Sequence, residues 1–585
     1  MAVTSADHLT GIYEELRDFI CGESAAQQRD RDILYAMRLH ERVEKGWCLD
    51  RLRFERTEEN RAIFSLPGND SRLREGDMIT LSRDQPDAGI QGTLFRETDD
   101  HLWLEAGSTA FPMDELQATP DGWTLDRAFV DLTSHYLKAL DEMMKSQNGQ
   151  ERVLPLLTGQ GGDDLDPETF KDVHDSLSTS DAWEDQQADA IAACIAAPWQ
   201  RLVQGPPGTG KTHVLAEVVR RLVESGQRVF LTSLTHRAID NALSAVTRAL
   251  GDSTACARIG VPMFRAPGEL PLHLDFASCP LAGRCGGYVV AATPFVLASR
   301  IKGVDFDVIV IDEAGQVTVP LAVMAMVRGR KFLFFGDDQQ LGPVVQSLPR
   351  REAKLCGIFQ RLQRHDPVRL NVTYRLNNTL ASWPSENFYG GDLTPAPSAA
   401  TRQLGWSQPA DGLEWIAQAL DPTTPLTWIR VIHHGALTDS PEEAGAAGEL
   451  LEALIHGGIR HQDIAVVVPF RKQARRIRRR LKGDLWRPVV IDTVERMQGQ
   501  ERDVILLSLT ASDLPFLAKI ADFYFDPRRL NVSATRARTK LLILASPDLL
   551  KVTTFDSDLS EDIGILQSLL CGANTIDYPE TASHV

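Results

Sequence analysis

The sequence has few of the features that mark secreted or membrane proteins. Its 585 residues include only eight cysteines, and these are scattered, without the spacing of a disulfide framework. No apolar run approaches the roughly 18 residues of a membrane span. The first residues, MAVTSADHLT, lack the basic start and the apolar core of a signal peptide. These absences predict a soluble protein of the reducing cytoplasm.

The chain also lacks an excess of basic residues. Its 62 Lys and Arg residues face 80 Asp and Glu residues, for a formal net charge of −18. Taken alone, this argues against a surface that coats nucleic acid nonspecifically. Local charge decides binding, so the total is compatible with a basic channel inside an acidic protein.

The order of patterns along the chain predicts several domains, since its length exceeds one ordinary core. Residues 1–60 have the apolar spacing of a helical stalk. Residues 61–122 contain short strands separated by polar turns, which is typical of a small antiparallel barrel. Residues 123–180 contain a returning helix and the polar linker GQGGDDLDPET.

From residue 181 onward, strands and helices alternate. VFLTS, YVVAAT, DVIVIDEA and KFLFFGD are near-continuous apolar runs that suit a parallel sheet covered on both faces. TWIRVI, DIAVVVPF, DVILLSL and KLLILAS form a second series. The sequence therefore predicts an α/β fold with two tandem parallel-sheet domains, at 181–367 and 368–550, and a tail at 551–585.

The stretch VQGPPGTGKTH contains a phosphate-binding loop between a strand and a helix, with the pattern G-x-x-x-x-G-K-[ST]. Backbone N–H groups and a helix N-terminus favour phosphate there. Lys211 would reach the β and γ phosphates of ATP, and Thr212 would ligate Mg²⁺. The candidate nucleotide contacts are Gly205, Pro206, Pro207, Gly208, Thr209, Gly210, Lys211, Thr212 and His213.

Asp312 and Glu313 end the apolar strand DVIVI. Asp312 can hold Mg²⁺, and Glu313 can orient and deprotonate the attacking water. Acidic residues are also common at helix N-termini, where the dipole favours them. The position of DEAGQ at a strand end, downstream of a phosphate loop, favours the catalytic interpretation.

Further segments follow in order: FFGDDQQLGPVV, LNVTYR, VERMQGQE and RLNVSATRAR. With the phosphate loop and DEAGQ, this series resembles the motor of superfamily 1 helicases. It is most similar to their 5′-to-3′ branch, which includes the nonsense-mediated-decay helicase. The resemblance covers residues 180–546, with a looser match of the helices and barrel before them. It implies two RecA-like domains, ATP and Mg²⁺ as cofactors, and single-stranded DNA or RNA as partner.

The resemblance implies roles around the nucleotide base and ribose. Gln187 matches a glutamine that reads adenine, although an ordinary helix glutamine is equally compatible with its surroundings. Tyr374 matches a tyrosine near the base, and Glu501 matches a glutamate near the ribose and phosphates. Thr373 departs from the family, which commonly has Gln before the Tyr-Arg pair.

The resemblance also implies groups that respond to the γ-phosphate. Gln340 matches its sensor, while Arg375 and Arg536 match two arginines that approach it from the second domain. Arg538 is the alternative to Arg536. An arginine supplied across a cleft can raise the rate of phosphoryl transfer by roughly 10³ to 10⁵. ATP would therefore join the domains, and its hydrolysis would release them.

Candidate contacts to a nucleic-acid strand lie after several predicted strands. Short hydroxyl side chains and backbone N–H groups suit phosphate contact without reading of the bases. Each threonine alone is equally compatible with a helix cap, so the set carries the argument. The candidates are Thr235, His236, Thr293, Pro343, Val344 and Thr493.

Two further segments have open interpretations. Eight of the twelve residues from Arg471 to Lys482 are basic, which suits either a phosphate-contacting face or a solvated helix that docks on an acidic region. Cys256, Cys279 and Cys285, with His273 nearby, suit either a zinc site or unconnected thiols. Their spacing does not match a standard zinc finger.

Two functions from different classes follow. The first is an ATP-driven helicase or translocase that moves 5′-to-3′ on single-stranded DNA or RNA. The second is a nucleotide-switched subunit that clamps a nucleic acid or a protein partner within a larger complex, without robust unwinding. A small-molecule kinase would share only the phosphate loop.

Overall fold

The computed structural model describes most of the chain. The described residues are 4–58, 61–69, 71–73, 75–98, 100–107, 109–160, 164–180, 182–260, 271–407, 413–481, 483–497 and 499–579. Residues 161–163 of the predicted linker and 580–585 of the predicted tail lie outside these ranges. Across the described ranges, no helix combines the length and the apolar character that crossing a lipid bilayer requires.

Helices form most of the N-terminal region and of the segment that returns from the barrel, and one short helix lies between two strands of the barrel. Their bounds are α1 (Thr4–Ala36), α2 (Leu39–Glu44), α3 (Met113–Ala118), α4 (Thr133–Lys145), α5 (Leu154–Thr158) and α6 (Pro167–Ser178). Ile12, Leu16 and Ile20 recur every four residues along α1 and are buried together with Leu140 and Met143 of α4. We call α1 and α4 the stalk.

A closed antiparallel barrel with the order β1-β2-β5-β4-β3-β6 is attached to the stalk. Its strands are β1 (Cys48–Glu58), β2 (Arg61–Ser65), β3 (Met78–Ser82), β4 (Ile90–Glu97), β5 (His101–Ala106) and β6 (Trp123–Arg127). The prediction of a small barrel is confirmed. Its first strand, however, lies in the segment predicted as helix, and its last begins after residue 122. A shift of register between Leu49 and Leu52 breaks the alternation that would have identified β1 as a strand.

The first parallel sheet has the order β10-β9-β11-β8-β12-β13-β7-β14. Its strands are β7 (Gln200–Gln204), β8 (Arg228–Thr232), β9 (Cys256–Ile259), β10 (Leu272–His273), β11 (Tyr288–Ala291), β12 (Phe306–Ile311), β13 (Gly329–Gly336) and β14 (Val368–Arg369). The helices of this part are α7 (Asp185–Ala196), α8 (Lys211–Glu224), α9 (His236–Leu250), α10 (Pro294–Arg300), α11 (Val319–Met326), α12 (Arg350–Ala353) and α13 (Ile358–Arg361). Apolar side chains cover both faces of the sheet, as the continuous apolar runs predicted.

A short segment joins the two large sheets. It contains β15 (Val372–Thr373) and β16 (Thr394–Pro395), which pair in parallel, with α14 (Asn378–Phe388) and α15 (Pro397–Ala400). Strand β14 still pairs with β7 of the first sheet. The crossing to the second domain therefore follows residue 369.

The second parallel sheet has the order β19-β18-β20-β21-β17-β22. Its strands are β17 (Leu426–Arg430), β18 (Ile464–Val468), β19 (Val490–Thr493), β20 (Arg502–Ser508), β21 (Ala537–Ala545) and β22 (Asn574–Asp577). The helices are α16 (Glu414–Ala419), α17 (Pro441–His456), α18 (Arg471–Arg480), α19 (Leu514–Lys519), α20 (Ala521–Tyr524), α21 (Pro527–Ala534) and α22 (Ser557–Cys571). Strand β22 lies in the predicted tail and forms the edge of the sheet by pairing with β17, although only Ile576 of it is buried. The prediction of two RecA-like parallel-sheet domains is confirmed.

Candidate functional site

The phosphate loop connects β7 to α8. Gly208 and Gly210 have φ angles of 78° and 82°, a left-handed conformation that glycine adopts without strain. A Cβ atom at Gly208 would lie 2.4 Å from the Cβ of Arg375, and one at Gly210 would lie 2.6 Å from Nε2 of Gln187. The glycines therefore also allow the loop to approach α7 and the second domain closely.

Lys211 opens α8 and faces the two carboxylates at the end of β12. Its Nζ lies 3.1 Å from Oε1 of Glu313 and 4.0 Å from Oδ1 of Asp312. Glu313 has a φ angle of 52°, which is strained for a residue with a side chain and is often found at functional sites. The structure thus brings together the lysine and the acidic pair that the sequence predicted.

The charges in this cluster shift one another's protonation. Burial raises the pKa of Asp312 to about 6, although the Lys211 ammonium opposes that shift. Burial also acts to raise the pKa of Glu313, but Lys211 outweighs it, so that pKa lies below its usual range. The pKa of Lys211 rises because Glu313 and Asp312 outweigh its own burial. The arrangement favours an ionised Glu313, as a general base requires.

The residues predicted to hold Mg²⁺ provide oxygen ligands, which this ion prefers. Thr212 lies in the first turn of α8 and Asp312 follows β12. Two neighbouring hydroxyls, Oγ1 of Thr232 and Oγ of Ser233, are buried without a hydrogen-bond partner in the described structure. The backbone N–H of Asp312 donates to Thr232 O, so the strand end that carries these unpartnered hydroxyls adjoins the residue predicted to hold the ion.

Gln340 connects the two domains. Its Nε2 donates to Oδ2 of Asp337 at 2.8 Å, and its Oε1 accepts from Nη2 of Arg536 at 3.1 Å. Arg536 is buried, and burial followed by repulsion from Arg375 lowers its pKa to about 9. Arg536 therefore contacts the glutamine that the sequence predicts as the γ-phosphate sensor.

Arg375, like Arg536, lies on the side of the cleft opposite the first domain. Its Nε donates to Oε2 of Glu501 at 2.6 Å, and its Nη1 donates to Thr535 O at 3.1 Å. Thr373, the departure from the family, donates its hydroxyl to Pro207 O at 2.8 Å. It thus ties the joining segment directly to the phosphate loop.

The residues predicted to lie near the base contact the phosphate loop at Gly208 and Thr209. Gln187 is buried, and its Nε2 donates to Thr209 O at 3.0 Å. The backbone N–H of Tyr374 donates to Gly208 O at 2.8 Å. His213 stacks on Trp183, with ring centroids 4.3 Å apart. The structure therefore adds Trp183, a flat apolar surface beside the loop that sequence reasoning missed.

Three more residues of the cleft were not singled out from the sequence. Tyr389 donates its hydroxyl to Oδ2 of Asp337 at 2.8 Å and accepts from Nδ2 of Asn531 at 3.0 Å. Asn531 Nδ2 also donates to Gln339 O. Burial, followed by the charge of Asp338, raises the pKa of Asp337 to about 6. The only available signal was local, since Asp337 lies in GDDQQ and Asn531 in RLNVSATRAR.

The candidate strand contacts lie after the carboxyl ends of parallel strands, and hence on one edge of each sheet. Thr235 caps α9 and Thr293 caps α10 through their side-chain oxygens. Val344 is 85% exposed. Thr493 is buried at the end of β19, and its Oγ1 has no hydrogen-bond partner among the described residues. The caps account for Thr235 and Thr293 structurally, and the binding roles stay predictions.

The remaining candidates lie at the same edges. Nδ1 of His236 is 2.7 Å from Nη2 of Arg258, and burial followed by that arginine lowers the pKa of the imidazole. A neutral ring can accept or donate a hydrogen bond but adds no positive charge. Pro343 is half-buried in the loop that follows β13.

Helix α18 uses much of its charge for contacts within the protein. Ile477 and Leu481 are buried, while Lys472 and Arg476 both pair with Asp439. Other arginines of this helix contact the barrel, as described below. Lys482 lies outside the described residues. These contacts favour the docking interpretation of the basic segment.

The cysteines do not gather around a metal in the described structure, which leaves out residues 261–270. Cys256 and Cys279 are buried free thiols, and Cys285 is an exposed one. No group of three or more potential ligands was found among the described residues. Burial raises the pKa of both Cys256 and Cys279, which disfavours the thiolate that zinc binds.

Two family models match the part of the chain that carries this site. Both are described as an AAA domain, and they cover residues 182–392 and 355–548. The chain is 27% identical over 442 residues to the DNA replication ATP-dependent helicase/nuclease DNA2 of Xenopus laevis, covering 68% of this chain and 40% of that protein. These matches confirm the resemblance of this chain to superfamily 1 helicases.

Other relatives are also helicases. The DNA polymerase alpha-associated DNA helicase A of Schizosaccharomyces pombe is 26% identical over 436 residues, which covers 62% of this chain and 64% of that protein. A crystal structure of the arterivirus nonstructural protein 10 helicase aligns with 90% of this chain and 82% of its own at 13% identity, with a TM-score of 0.40. The chain spans 34% to 40% of the length of the first three curated relatives.

Proposed function

We propose that this chain is an ATP-driven motor that moves 5′-to-3′ along a single strand of nucleic acid and can separate duplexes. One observation carries the proposal. Gln340 contacts Asp337 on one side of the cleft and Arg536 on the other, so a group expected at the γ-phosphate joins the two sheets. A change at that phosphate would then be felt by both domains.

Each half of the cleft has a chemical task in this proposal. The loop N–H groups and Lys211 would bind the phosphates, while Thr212 and Asp312 would hold Mg²⁺. When bound, the ion neutralises charge on the phosphates and polarises the bond that breaks. Glu313 would take the proton of the attacking water, and its lowered pKa keeps it ready to do so.

The second domain would complete the site. Arg536 and Arg375 would face the charge that develops on the transferred phosphoryl group. After hydrolysis the γ-phosphate would leave with its negative charge. The contact of Gln340 with Arg536 would then lose the phosphate that stabilises it. Alternation of these states would move the edges carrying Thr293 and Thr493 relative to each other, which advances a bound strand.

We propose DNA as the preferred strand. The curated relatives named above are a DNA replication helicase/nuclease and a DNA helicase. The candidate contacts are hydroxyl and backbone groups suited to phosphate, which do not themselves exclude RNA.

ATP hydrolysis measured with and without single strands tests the proposal. We expect stimulation by single-stranded DNA, a weaker response to RNA, and unwinding of duplexes that carry a 5′ single-stranded tail. Duplexes with only a 3′ tail are the matched control for polarity. ATPase activity that neither strand stimulates would contradict the proposal. ATP-dependent binding of a strand without movement would favour the nucleotide-switched clamp.

A further inference from the structure

The stalk and the barrel together reach from one large domain to the other. At the first domain, the carboxylate of Glu23 in α1 accepts from the backbone N–H groups of Gln346 and Ser347 at 2.9–3.0 Å. This loop follows β13. Tyr136 of α4 meets Phe295 edge to face, with centroids 5.5 Å apart. The stalk therefore contacts the first domain at the carboxyl ends of its β-strands, where candidate contacts to a nucleic-acid strand lie.

Apolar packing makes this first attachment part of the domain core. Ile12, Leu16 and Ile20 of α1 and the buried residues of α4 belong to the same hydrophobic cluster as α11, β12 and β13. Asn148 also donates to Met326 O at 3.0 Å and to Val327 O at 3.1 Å. Separating the stalk from the first domain would expose a continuous apolar core, so we treat the two as one body.

A buried arginine of α2, the short helix after α1, links the end of the stalk to the barrel. Nε of Arg42 donates to Oδ1 of Asp126 in β6 at 2.8 Å, and its Nη1 donates to Met37 O at 2.9 Å. Both Arg42 and Asp126 are buried. Tyr35, near the end of α1, donates its hydroxyl to Arg127 O at 3.0 Å. These bonds fix the direction in which the barrel leaves the stalk.

The barrel then contacts the second domain at the matching sheet edge. Arg471, in the first turn of α18, donates to Ser71 O at 2.9 Å and to Leu73 O at 2.7 Å. Arg475 donates to Ser71 O at 2.9 Å. Since α18 follows the carboxyl end of β18, this contact lies beside the end of β19, where Thr493 lies.

An ion pair adds to this contact. Arg496, three residues after Thr493, lies 2.6 Å from Oε1 of Glu97 in the barrel and 3.2 Å from Oδ2 of Asp492. Asn69 holds the other oxygen of Glu97 at 2.6 Å. The contact thus links the barrel directly to the segment that carries a candidate strand contact.

The two attachments differ in chemistry. The barrel has its own hydrophobic cluster, which includes no buried residue of the second domain. The barrel and α18 also border a cavity of about 780 Å³ beside the contact. A small polar contact flanked by solvent can separate and re-form without exposing a core. The apolar attachment therefore suits a fixed joint, and the polar one suits a contact that can open.

We infer that the stalk and barrel form an arch over the strand-binding edges, and that its contact with α18 is a gate. With the gate closed, the first domain, stalk, barrel and second domain form a ring. A single strand without free ends can enter only when the barrel leaves α18. The inference rests on the proposed function, because it requires that the enclosed edges bind a single strand.

A covalently closed gate tests this directly. The distance from the α18 backbone to the barrel backbone is about the length of an arginine side chain. A disulfide bond is too short to span that distance. We would therefore place cysteines at exposed Pro67 and Arg479 and join them with a short bis-maleimide. Arg479 already lies within 3.8 Å of a Cβ built on Gly68. The accessible Cys21, Cys285, Cys356 and Cys571 would be serine in this background.

The probes are a circular single-stranded DNA and the same DNA linearised. Without the linker, we expect equal binding of both. With the linker, we expect binding of the circle to fall by at least about tenfold, because affinity falls with the fraction of entry-competent protein. Binding of the linear strand should be retained. Linking after the circle is bound should trap a complex that resists high salt.

A pair of charge variants tests the gate without a linker. Arg471→Gln with Arg475→Gln should speed capture of the circle several-fold relative to the linear strand, since more protein is open. Lys472→Gln with Arg476→Gln is the matched control, because it removes two charges from the same helix without touching the barrel.

The possible results distinguish a failure of the gate from a failure of the proposed function. If the linked protein binds circle and linear strand equally, the gate is wrong while the proposed function stands. An unchanged ratio of capture rates in the arginine variant would also contradict the gate. If the unlinked protein binds neither the circle nor the linear strand, as DNA or as RNA, the proposed function fails, and the gate fails with it.

Discussion

The two parallel-sheet domains share an architecture but contribute opposite charges to the cleft between them. The first contributes the phosphate loop and the carboxylates of Asp312, Glu313 and Asp337, while the second contributes Arg375 and Arg536. In the described structure, Lys211 is neutralised within its own domain and Arg375 by Glu501. Neither domain holds a complete site, so hydrolysis should depend on how the domains meet.

The largest effect on ATP hydrolysis should come from substitutions in the first domain's half of the cleft. We expect Lys211→Ala and Glu313→Gln each to lower strand-stimulated ATP hydrolysis by at least about 10³-fold, because phosphate charge and the water proton lose their partners. Arg221, in the last turn of the same helix, pairs with Glu217 and donates to Ser176 Oγ. The control Arg221→Gln should therefore leave turnover close to the unaltered rate. Steady-state phosphate release measures both. Substantial turnover by Lys211→Ala would remove the loop from the mechanism.

Substitutions in the second domain's half of the cleft should lower ATP hydrolysis almost as strongly. Arg536→Ala should reduce turnover by about 10³-fold, since an arginine from across the cleft contributes this much to phosphoryl transfer. Binding of a fluorescent ATP analogue should survive. Arg538 lies 3.0 Å from Asp503 and is the matched control. If Arg538→Ala is the more damaging change, the two arginines have exchanged roles.

A buried lysine in each domain gives a comparison of pH dependence. Burial lowers the pKa of Lys540 to about 7 and that of Lys331 to about 8, from an unfolded value near 10.5. The unfolded chain therefore binds more protons above these values, and stability rises with pH. Between about pH 7 and pH 9, the unfolding free energy should rise by roughly 2 kcal/mol relative to Lys540→Met, and by less relative to Lys331→Met.

Denaturant titrations at several pH values measure these differences. Lys540 Nζ donates to Asp421 O at 2.9 Å and to Thr427 Oγ1 at 3.1 Å, so each methionine variant also carries a constant loss. Only the change of the unfolding free energy with pH reflects the protonation of the lysine. A difference that stays flat across this window would mean that Lys540 keeps its charge in the folded protein.

The smallest effect should come from Gln187. Its amide braces the loop by donating to Thr209 O, and a lost hydrogen bond of this kind costs about 1 kcal/mol. Gln187→Ala should therefore weaken ATP and GTP binding alike, by roughly tenfold or less. Titration of both nucleotides measures it. A loss confined to ATP would instead indicate direct reading of adenine.

Several parts of this molecule could be predicted because their signals are local. The eight apolar runs named from the sequence became strands of two parallel sheets, since each run is buried on both faces. The loop pattern around Lys211 also lies within one short segment. Strand β1 escaped prediction because a register shift interrupts its alternation. Strand β22 escaped because it depends on the edge of β17, and its own sequence is mostly exposed.

The sequence by itself determined the two parallel sheets, the phosphate loop and the acidic pair that follows β12. Each follows from residues that are near one another in the chain. Only the tertiary structure decided that Arg536 meets Gln340, that Tyr389 and Asn531 complete the cleft, and that Arg471 reaches the barrel. These contacts join residues separated by 196, 142 and 400 positions. They depend on how whole domains are placed, and local patterns do not encode that placement.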